Sequence, residues 1–183
     1  MTEVPDEQIL DLLGSDTTSE RGFRLLMQKY SERVYWHVRR MVSSHDDAND
    51  VVQNCFIKVF RSIHKFERKS SLFTWLYRIA TNESITFLNK RKKRQTGALD
   101  DMDNAIYNQL KADSYFDGDE AQVLLHAAIA NLPEKQKTVF LMRYYEEMSY
   151  KDISEVLGTS VGGLKASFHH AVKKIETSLS PKD

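Results

Sequence analysis

Residues that cross-link, kink or turn a chain are scarce in this sequence. Its 183 residues include one cysteine, three prolines and seven glycines. The single cysteine, Cys55, excludes an internal disulfide and a metal site built from several cysteines. Neither glycine nor proline occurs between Gly22 and Gly97. Because strand-rich folds need turn residues far more often than that, the scarcity predicts a helical protein.

Long apolar runs are also missing, since no stretch approaches the ~20 residues of a membrane span. The first twenty residues contain six acidic side chains and no lysine or arginine. A secretory signal begins instead with basic residues and continues with an apolar run. We therefore expect a cytoplasmic protein with no membrane insertion.

Acidic and basic residues balance over the whole chain, with 26 of each, but their distribution is uneven. Residues 1–95 carry 17 basic and 12 acidic side chains, a net charge of +5. Residues 96–122 carry one lysine and seven acids, a net charge of −6, and residues 123–183 are close to neutral. Such partition predicts two modules and a solvated linker. We place the modules at 1–95 and 119–183, and a flexible acidic linker at 96–118.

Apolar residues in the first module recur at intervals of three and four, as they do along the buried face of a helix. Three such stripes predict an all-α bundle of three principal helices after a short acidic N-terminal helix. Ser and Asp at the joints can cap the helices that follow. The stripes are Phe23, Leu26, Met27, Tyr30, Val34 and Val38; Val52, Cys55, Phe56, Val59, Phe60 and Ile63; and Leu72, Trp75, Leu76, Ile79, Ile85 and Leu88.

The strongest local signal lies in residues 149–176 of the second module. A helix beginning at Ser149 is predicted to end at Gly158, and Ser160 then caps a long final helix. This order is the helix-turn-helix arrangement, whose second helix enters the DNA major groove. An ordinary helical hairpin is the alternative. The residues predicted to form the DNA-facing helix are Ser160, Gly162, Gly163, Lys165, Ser167, His169, His170 and Lys173.

A basic run, residues 90–94, ends the third bundle helix, and aromatic and basic residues alternate upstream of it. Cations gain affinity for a phosphate backbone by counterion release, and aromatics interleaved with them suit the stacking of single-stranded bases. Alternatively, the basic run is only a solvated helix end, and the aromatic residues belong to the core. We expect Phe66 and Trp75 to be mostly core and the loop from Glu67 to Leu72 to be exposed.

Three carboxylates, Asp46, Asp47 and Asp50, lie at the start of the second bundle helix. Acidic residues are favourable there because of the helix dipole, so capping alone would explain them. Asp50 and Gln53 nevertheless lie one turn apart on a shared face, where they can face a basic partner surface.

Together these segments resemble the extracytoplasmic-function (ECF) sigma factors of the sigma-70 family. DANDVVQNCFIKVF (47–60) is similar to the segment that grips the coiled coil of the polymerase β′ subunit. FERKSSLFTWLYRIATN (66–82) is similar to the segment that captures and melts the −10 promoter element. LPEKQ (132–136), with the helix-turn-helix, resembles the domain that reads the −35 element. The resemblance covers nearly all of residues 23–175.

The resemblance implies a sigma factor, which binds core RNA polymerase through its β′ and β subunits and directs it to promoter DNA. It implies no enzymatic activity and no cofactor, and it admits an anti-sigma factor as a further partner. Matched by position, the implied polymerase-binding residues are Asp47, Asp50 and Gln53, and the implied −10 capture and melting residues are Ser70, Ser71, Phe73, Trp75 and Asn82. Lys165, His169 and their neighbours match the recognition helix. The basic run itself, and not the resemblance, gives the predicted DNA-backbone residues Lys90, Arg91, Lys92, Lys93 and Arg94.

Two departures from the family pattern bear on binding. Asn49 and Asn54 stand where the family often has Glu, so the expected polymerase contact is less acidic. Residues 166–170 contain no arginine, although the family commonly has two there. Arginine is the commonest specific donor to guanine, so we expect a −35 readout that is weaker or that depends on lysines such as Lys165 and Lys173.

Two other functions fit parts of the sequence. A stand-alone helix-turn-helix regulator would explain the second module but not the basic and aromatic segment. A metal-dependent nuclease could be built on His169–His170 or on His45–Asp46–Asp47. Adjacent histidines on a helix point about 100° apart and so rarely share an ion, and no phosphate-binding glycine loop is present.

Overall fold

The computed structural model describes residues 4–94 and 119–180, and every regular element within them is helical. The first module contains α1 (Asp6–Leu13), α2 (Ser19–Val42), α3 (His45–Ser62), a 3-10 turn (Ile63–Lys65) and α4 (Leu72–Arg94). The second contains α5 (Glu120–Ala130), α6 (Glu134–Tyr144), α7 (Tyr150–Leu157) and α8 (Val161–Leu179). The all-α prediction is confirmed, and the predicted linker at 96–118 lies outside the described residues. None of the described helices is long and apolar enough to cross a lipid bilayer.

The first module is a bundle of α2, α3 and α4, with α1 packed along α2. Its core consists of the buried sides of the predicted stripes, including the fully buried Leu26, Val34 and Leu76. Cys55 is also fully buried, and this burial raises the pKa of its thiol to about 12. The side chain therefore stays a neutral thiol and acts as a small core residue.

Polar caps determine where α3 and the helix-turn-helix elements begin. Ser44 accepts a hydrogen bond from the backbone N–H of Asp47, at the start of α3. Ser149 accepts in the same way from Asp152 at the start of α7, and Ser160 accepts from Gly163 at the start of α8. These bonds satisfy backbone donors that a helix start leaves without partners.

The turn between α7 and α8 depends on Gly158. Its φ of +62° lies in the left-handed region, which glycine enters without steric cost. Ile153 and Val156 of α7 and Leu164 of α8 are buried. The predicted helix-turn-helix is therefore present with the predicted glycine and serine positions.

Two local predictions were wrong. Leu72 is only 2% exposed, because it begins α4 and packs into the bundle instead of extending the loop before it. Phe60 is 59% exposed, although it was counted in the core stripe of α3. Phe66 and Trp75 are half-buried and pack against the core, with ring centroids 5.3 Å apart.

The two modules are in contact, with α2 against α6 and α4 against α7. Lys137 of α6 is only 7% exposed, and its Nζ donates to the backbone oxygen of Met41 at 2.9 Å. Burial lowers the pKa of Lys137 from 10.5 to about 8. Its charged form is therefore disfavoured in the folded chain.

Gly22 is needed where α1 crosses α2. A Cβ added at Gly22 would lie 2.9 Å from the backbone nitrogen of Leu13 and 3.0 Å from Cβ of Leu12. We expect Gly22→Ala to push α1 away from α2 and to lower the free energy of unfolding by about 1–3 kcal/mol. Chemical denaturation measures the change. Gly14→Ala is the control, because its nearest neighbours are 3.5 Å away and its φ is −77°; an equal loss in both variants would contradict the close-approach argument.

Lys137 should make stability depend on pH. Between its folded pKa of about 8 and its ordinary value of 10.5, the unfolded chain holds a proton that the folded chain has released. The free energy of unfolding therefore rises with pH in this window. Relative to Lys137→Met, the wild-type chain should gain about 2 kcal/mol between about pH 7 and about pH 9.5. Urea denaturation at both pH values measures this gain, and a difference that did not change with pH would contradict the assigned burial.

Candidate functional site

One side of α3 presents an exposed stripe that contains both polar and apolar side chains. Asp50 and Gln53, both matched to polymerase-binding positions, are exposed on it. Ile57 and Phe60 continue the stripe at helical spacing, with exposures of 43% and 59%. We call these four residues the α3 stripe. Large apolar side chains left exposed beside polar ones are typical of a partner-binding surface.

Ile57 and Phe60 were missed as site residues in the sequence analysis. A signal was available, because the buried side of α3 is already filled by Val51, Cys55 and Val59. Apolar residues at Ile57 and Phe60 therefore fall outside that face of the helix. Phe60 makes an edge contact with Phe23 of α2, with centroids 5.1 Å apart, so part of its ring is held in place.

Asp47, the third residue matched to polymerase binding, is placed differently. Its carboxylate pairs with the guanidinium of Arg91 at 3.1 Å. Arg91 belongs to the predicted DNA-backbone set, so in this structure two predicted ligand-binding residues neutralise each other. Both side chains are about a third exposed, and pairs of this kind contribute little to stability. The pair can therefore open without great cost.

The residues predicted to capture the −10 strand lie around the start of α4, and they do not share one face. Ser71 Oγ accepts a hydrogen bond from the backbone N–H of Thr74 at 3.0 Å and so caps α4. Trp75 and Asn82 are two turns apart on one side of the helix. Phe73 lies on the other side, 4.2 Å from the ring of Tyr77. Ser70 is half-buried in the preceding loop.

Phe73 also contacts a cation from α2. The Arg33 guanidinium lies 4.6 Å from the centroid of its ring, within the range of a cation–π interaction. This contact and the tilted ring contact with Tyr77 give Phe73 a structural role, and the strand-capture role remains a prediction.

The basic run at the end of α4 is largely accessible. Four of its residues, Lys90, Lys92, Lys93 and Arg94, are exposed, and Arg91 is half-buried. Lys92 pairs with Glu134 of the second module at 3.3 Å. An exposed row of cations on one helix end can contact successive phosphates.

The recognition-helix candidates on α8 divide by position. One exposed line on α8 consists of Gly162, Ala166, His169 and Lys173, which follow one another at intervals of four, three and four residues. It lies on the side of the helix opposite the buried Leu164 and Ala171. Lys165 and His170 flank this line and are exposed, whereas Ser167 and Gly163 are half-buried. The side chain of Ser160 is engaged in the cap. Ala166, which was not among the predicted DNA-facing residues, lies on the line.

No side-chain atom crowds Gly162, since a Cβ there would meet nothing within 4 Å. The glycine is therefore not required by packing inside this chain. No packing within the described residues therefore offsets the cost of this glycine to the helix, about 1 kcal/mol relative to alanine. The close approach of an external surface at Gly162 stays a prediction.

A buried polar cluster between the modules was not found from the sequence. Glu146, between α6 and α7, accepts a hydrogen bond from the Tyr77 hydroxyl at 2.6 Å and one from Arg40 at 3.3 Å. His37 Nδ1 lies 3.9 Å from the same carboxylate, and His37 Nε2 pairs with the hydroxyl of Thr81 at 3.0 Å.

Burial dominates the electrostatics of this cluster. It raises the pKa of Glu146, against the opposing effects of the Tyr77 hydroxyl and the Arg40 charge. It lowers the pKa of His37 to about 3, with the nearby Arg40 charge acting in the same direction. His37 is therefore neutral at physiological pH, and the positive charges that act on Glu146 are those of Arg40 and Arg33.

Within residues 4–94 and 119–180, no group of three or more His, Cys, Asp or Glu side chains could hold a metal ion. The rings of His169 and His170 are 5.9 Å apart and tilted relative to each other. The described residues therefore add nothing to the nuclease alternative.

Both modules match known protein families. Residues 26–94 match the model described as Sigma-70 region 2, and residues 122–175 match the model described as Sigma-70, region 4. The first match contains the α3 stripe and the start of α4, and the second contains the helix-turn-helix.

Curated relatives match over almost the whole chain. The chain is 29% identical over 189 residues to the RNA polymerase sigma-H factor of Pseudomonas aeruginosa, covering 99% of this chain and 97% of that protein. It is 32% identical over 177 residues to the ECF RNA polymerase sigma-E factor of Haemophilus influenzae, covering 88% and 89%.

Solved structures share the fold. The sigma factor RpoE of Bartonella quintana, solved in complex with the anti-sigma factor NepR, aligns with a TM-score of 0.72 at 21% identity, over 86% of this chain and 96% of that one. CnrH, solved in complex with the cytosolic domain of CnrY, aligns with a TM-score of 0.69 at 19% identity. With both sigma-70 regions present in order and relatives matched nearly end to end, the chain belongs to the ECF RNA polymerase sigma factors of the sigma-70 family, which direct promoter-specific transcription.

Proposed function

We propose that this sigma factor binds core RNA polymerase through the α3 stripe, holds the −10 strand at the start of α4 and reads the −35 element with α8. The observation that carries the proposal is the α3 stripe itself. It combines the exposed carboxylate of Asp50 with two large apolar side chains, Ile57 and Phe60, that are partly exposed to solvent. A partner that supplies cations and an apolar surface would bury both.

The promoter-binding part of the proposal rests on two exposed surfaces. The row of cations at residues 90–94 continues from the helix that carries Trp75 and Asn82, so a captured strand can reach both. On α8, Lys173 lies on the outward line and Lys165 flanks it, and both side chains are exposed. Because that line contains no arginine, it offers phosphate contacts and few bidentate base contacts.

The chain itself supplies no reaction under this proposal, because its part is binding and the polymerase makes the RNA. It acts in the cytoplasm, where the polymerase is. By analogy with the Bartonella quintana complex, we also propose that an anti-sigma factor binds this chain.

The polymerase contact is tested by Asp50→Ala. Removing this carboxylate should weaken binding to core polymerase by roughly tenfold, the effect of losing about 1–2 kcal/mol at an interface. Binding of labelled chain to purified bacterial core polymerase gives the constant, and run-off transcription from a promoter library gives the function. Asp46→Ala is the matched control, since Asp46 is an exposed carboxylate on the first turn of the same helix.

Equal binding by the Asp50→Ala and wild-type chains would reject the assigned contact. If the wild-type chain bound duplex DNA but not core polymerase, the proposed function itself would fail, and a stand-alone regulator would explain the helix-turn-helix better.

Ser71 allows capping to be separated from strand capture. Ser71→Ala removes the cap of α4 and should lower stability by about 1 kcal/mol. Ser71→Asp keeps a capping acceptor but places a negative charge where the strand is expected, so it should fold like wild type and melt promoters poorly. Thermal unfolding and permanganate reactivity of promoter thymines measure the two effects. Normal melting by a stable Ser71→Asp protein would exclude Ser71 from the strand-capture surface.

A further inference from the structure

The loop before α4 is fixed to the core of the first module at its two ends. We call residues 67–71 the capture loop, because two of the predicted strand-capture residues belong to it. Phe66 precedes the loop and is half-buried against the core, and Leu72 follows it and is buried. Within the loop, Lys69 pairs with Glu67, and both side chains are largely exposed. Packing at the ends therefore leaves the exposed middle of the loop to be placed by other contacts.

Arg68, in the middle of the capture loop, contacts the N-terminal helix α1. Its guanidinium donates a hydrogen bond to the Asp11 carboxylate at 3.2 Å. The backbone of Arg68 has a φ of +57°, in the left-handed region that residues other than glycine enter at a steric cost. Such a conformation persists where surrounding contacts favour it. The bond to Asp11 is one such contact.

Asp11 also occupies a place that is unfavourable on local grounds. It lies in the last turn of α1, where the helix dipole disfavours a carboxylate. The energetics of α1 alone therefore give no reason for an acid at this position, whereas the cation of Arg68 does. Two residues that are 57 positions apart in sequence, each in a costly position, thus meet in one ion pair that links the capture loop to α1.

Helix α1 is itself fixed to α2, so it can support this bond. Ile9 is fully buried. Near the start of α1, Asp6 accepts a hydrogen bond from the Tyr30 hydroxyl at 2.8 Å. The end of α1 lies so close to α2 that a side chain at Gly22 would have no room. All of α1 precedes the segment that matches Sigma-70 region 2, residues 26–94, so that match assigns it no role.

We propose that Asp11 is a positioning residue for promoter melting, which holds Arg68 and so fixes the capture loop before the −10 strand arrives. The inference rests on the proposed function, because it requires that the loop receive this strand. A loop that is already ordered loses less conformational entropy when it binds. Both side chains of the pair are more than half exposed, and exposed pairs of this kind change an equilibrium by a factor of about two to five.

A direct contact between Arg68 and a DNA phosphate makes the opposite prediction. In that case Asp11 competes with DNA for the guanidinium, and removal of the carboxylate strengthens melting. If Asp11 positions the loop, its removal weakens melting. The sign of the effect at Asp11 therefore separates the two roles.

The test compares Asp11→Asn, Asp11→Glu and Asp16→Asn with the wild-type chain, each at full length and bound to core polymerase. Asp11→Asn removes the charge at nearly constant shape, whereas Asp11→Glu keeps a carboxylate that can still reach Arg68. Asp16→Asn is the matched control, since Asp16 is an exposed acid just beyond the end of α1. Thermal unfolding establishes that each chain is folded.

The readout is permanganate reactivity of thymines in a promoter recovered from the transcription library. Saturating polymerase is used, so that a change in affinity for the polymerase does not enter. We expect Asp11→Asn to lower the equilibrium constant for melting by about two- to fivefold. Asp11→Glu and Asp16→Asn should stay close to wild type.

A double-mutant cycle identifies the partner through which Asp11 acts. Arg68→Gln is made alone and together with Asp11→Asn. If Asp11 acts through Arg68, the double variant melts the promoter as well as either single variant does. Losses that multiply in the double variant would show that the two residues act independently, and would overturn the proposal.

The remaining outcomes also decide. Weaker melting by Asp11→Asn, with recovery in Asp11→Glu and no further loss in the double variant, supports the proposal. Unchanged or stronger melting by Asp11→Asn overturns it, as does an equal loss in Asp11→Glu or Asp16→Asn. If the wild-type chain melts no promoter of the library, the proposed function fails and the inference fails with it. If the wild-type and Asp11→Asn chains melt promoters equally well, only the inference fails.

Discussion

A carboxylate removed from water must find partners, and this requirement shapes the contact between the two modules. The side chain of Glu146 is nearly inaccessible, and its two hydrogen-bond donors among residues 4–94 and 119–180, Tyr77 and Arg40, both belong to the first module. Leaving such a group unpaired would cost the full penalty of its desolvation. The arrangement of α2 and α4 against α6 and α7 therefore depends strongly on this acceptor. The buried apolar residues of both modules belong to one cluster, so the bonds to Glu146 give direction to packing that the two modules share.

Features that depend on neighbours in sequence could be predicted from the sequence. The serine caps at Ser149 and Ser160 and the turn at Gly158 rest on hydrogen bonds and dihedral angles within a few residues, so residue type alone indicates them. The buried stripes follow from helical periodicity in the same way. Periodicity did not predict the environments of Leu72 and Phe60. An apolar residue at a plausible spacing can start a helix or face a partner, and only the packing of the other helices decides which.

The candidate site was predictable in parts for the same reason. Residue type and order indicated α8, the basic end of α4 and Asp50, whereas pairings between distant segments could not be seen. Arg40 and Glu146 are 106 residues apart, and Asp47 and Arg91 are 44 apart. Nothing in the local pattern around either residue indicates the other. The separation of Phe73 from Trp75 and Asn82 was also hidden, because a shared sequence segment does not imply a shared helix face.

Charged side chains make several of the bonds between the two modules. Replacing a buried ion pair by well-packed apolar residues is often neutral or stabilising, so charges at such a place are weak evidence for stability. Around these charges, the buried apolar residues of both modules form one cluster, and burial of apolar surface supplies attraction without fixed direction. The donors Arg40, Tyr77 and Arg78 add bonds of fixed direction to this packing, and they therefore determine how α2 and α4 are placed against α6 and α7.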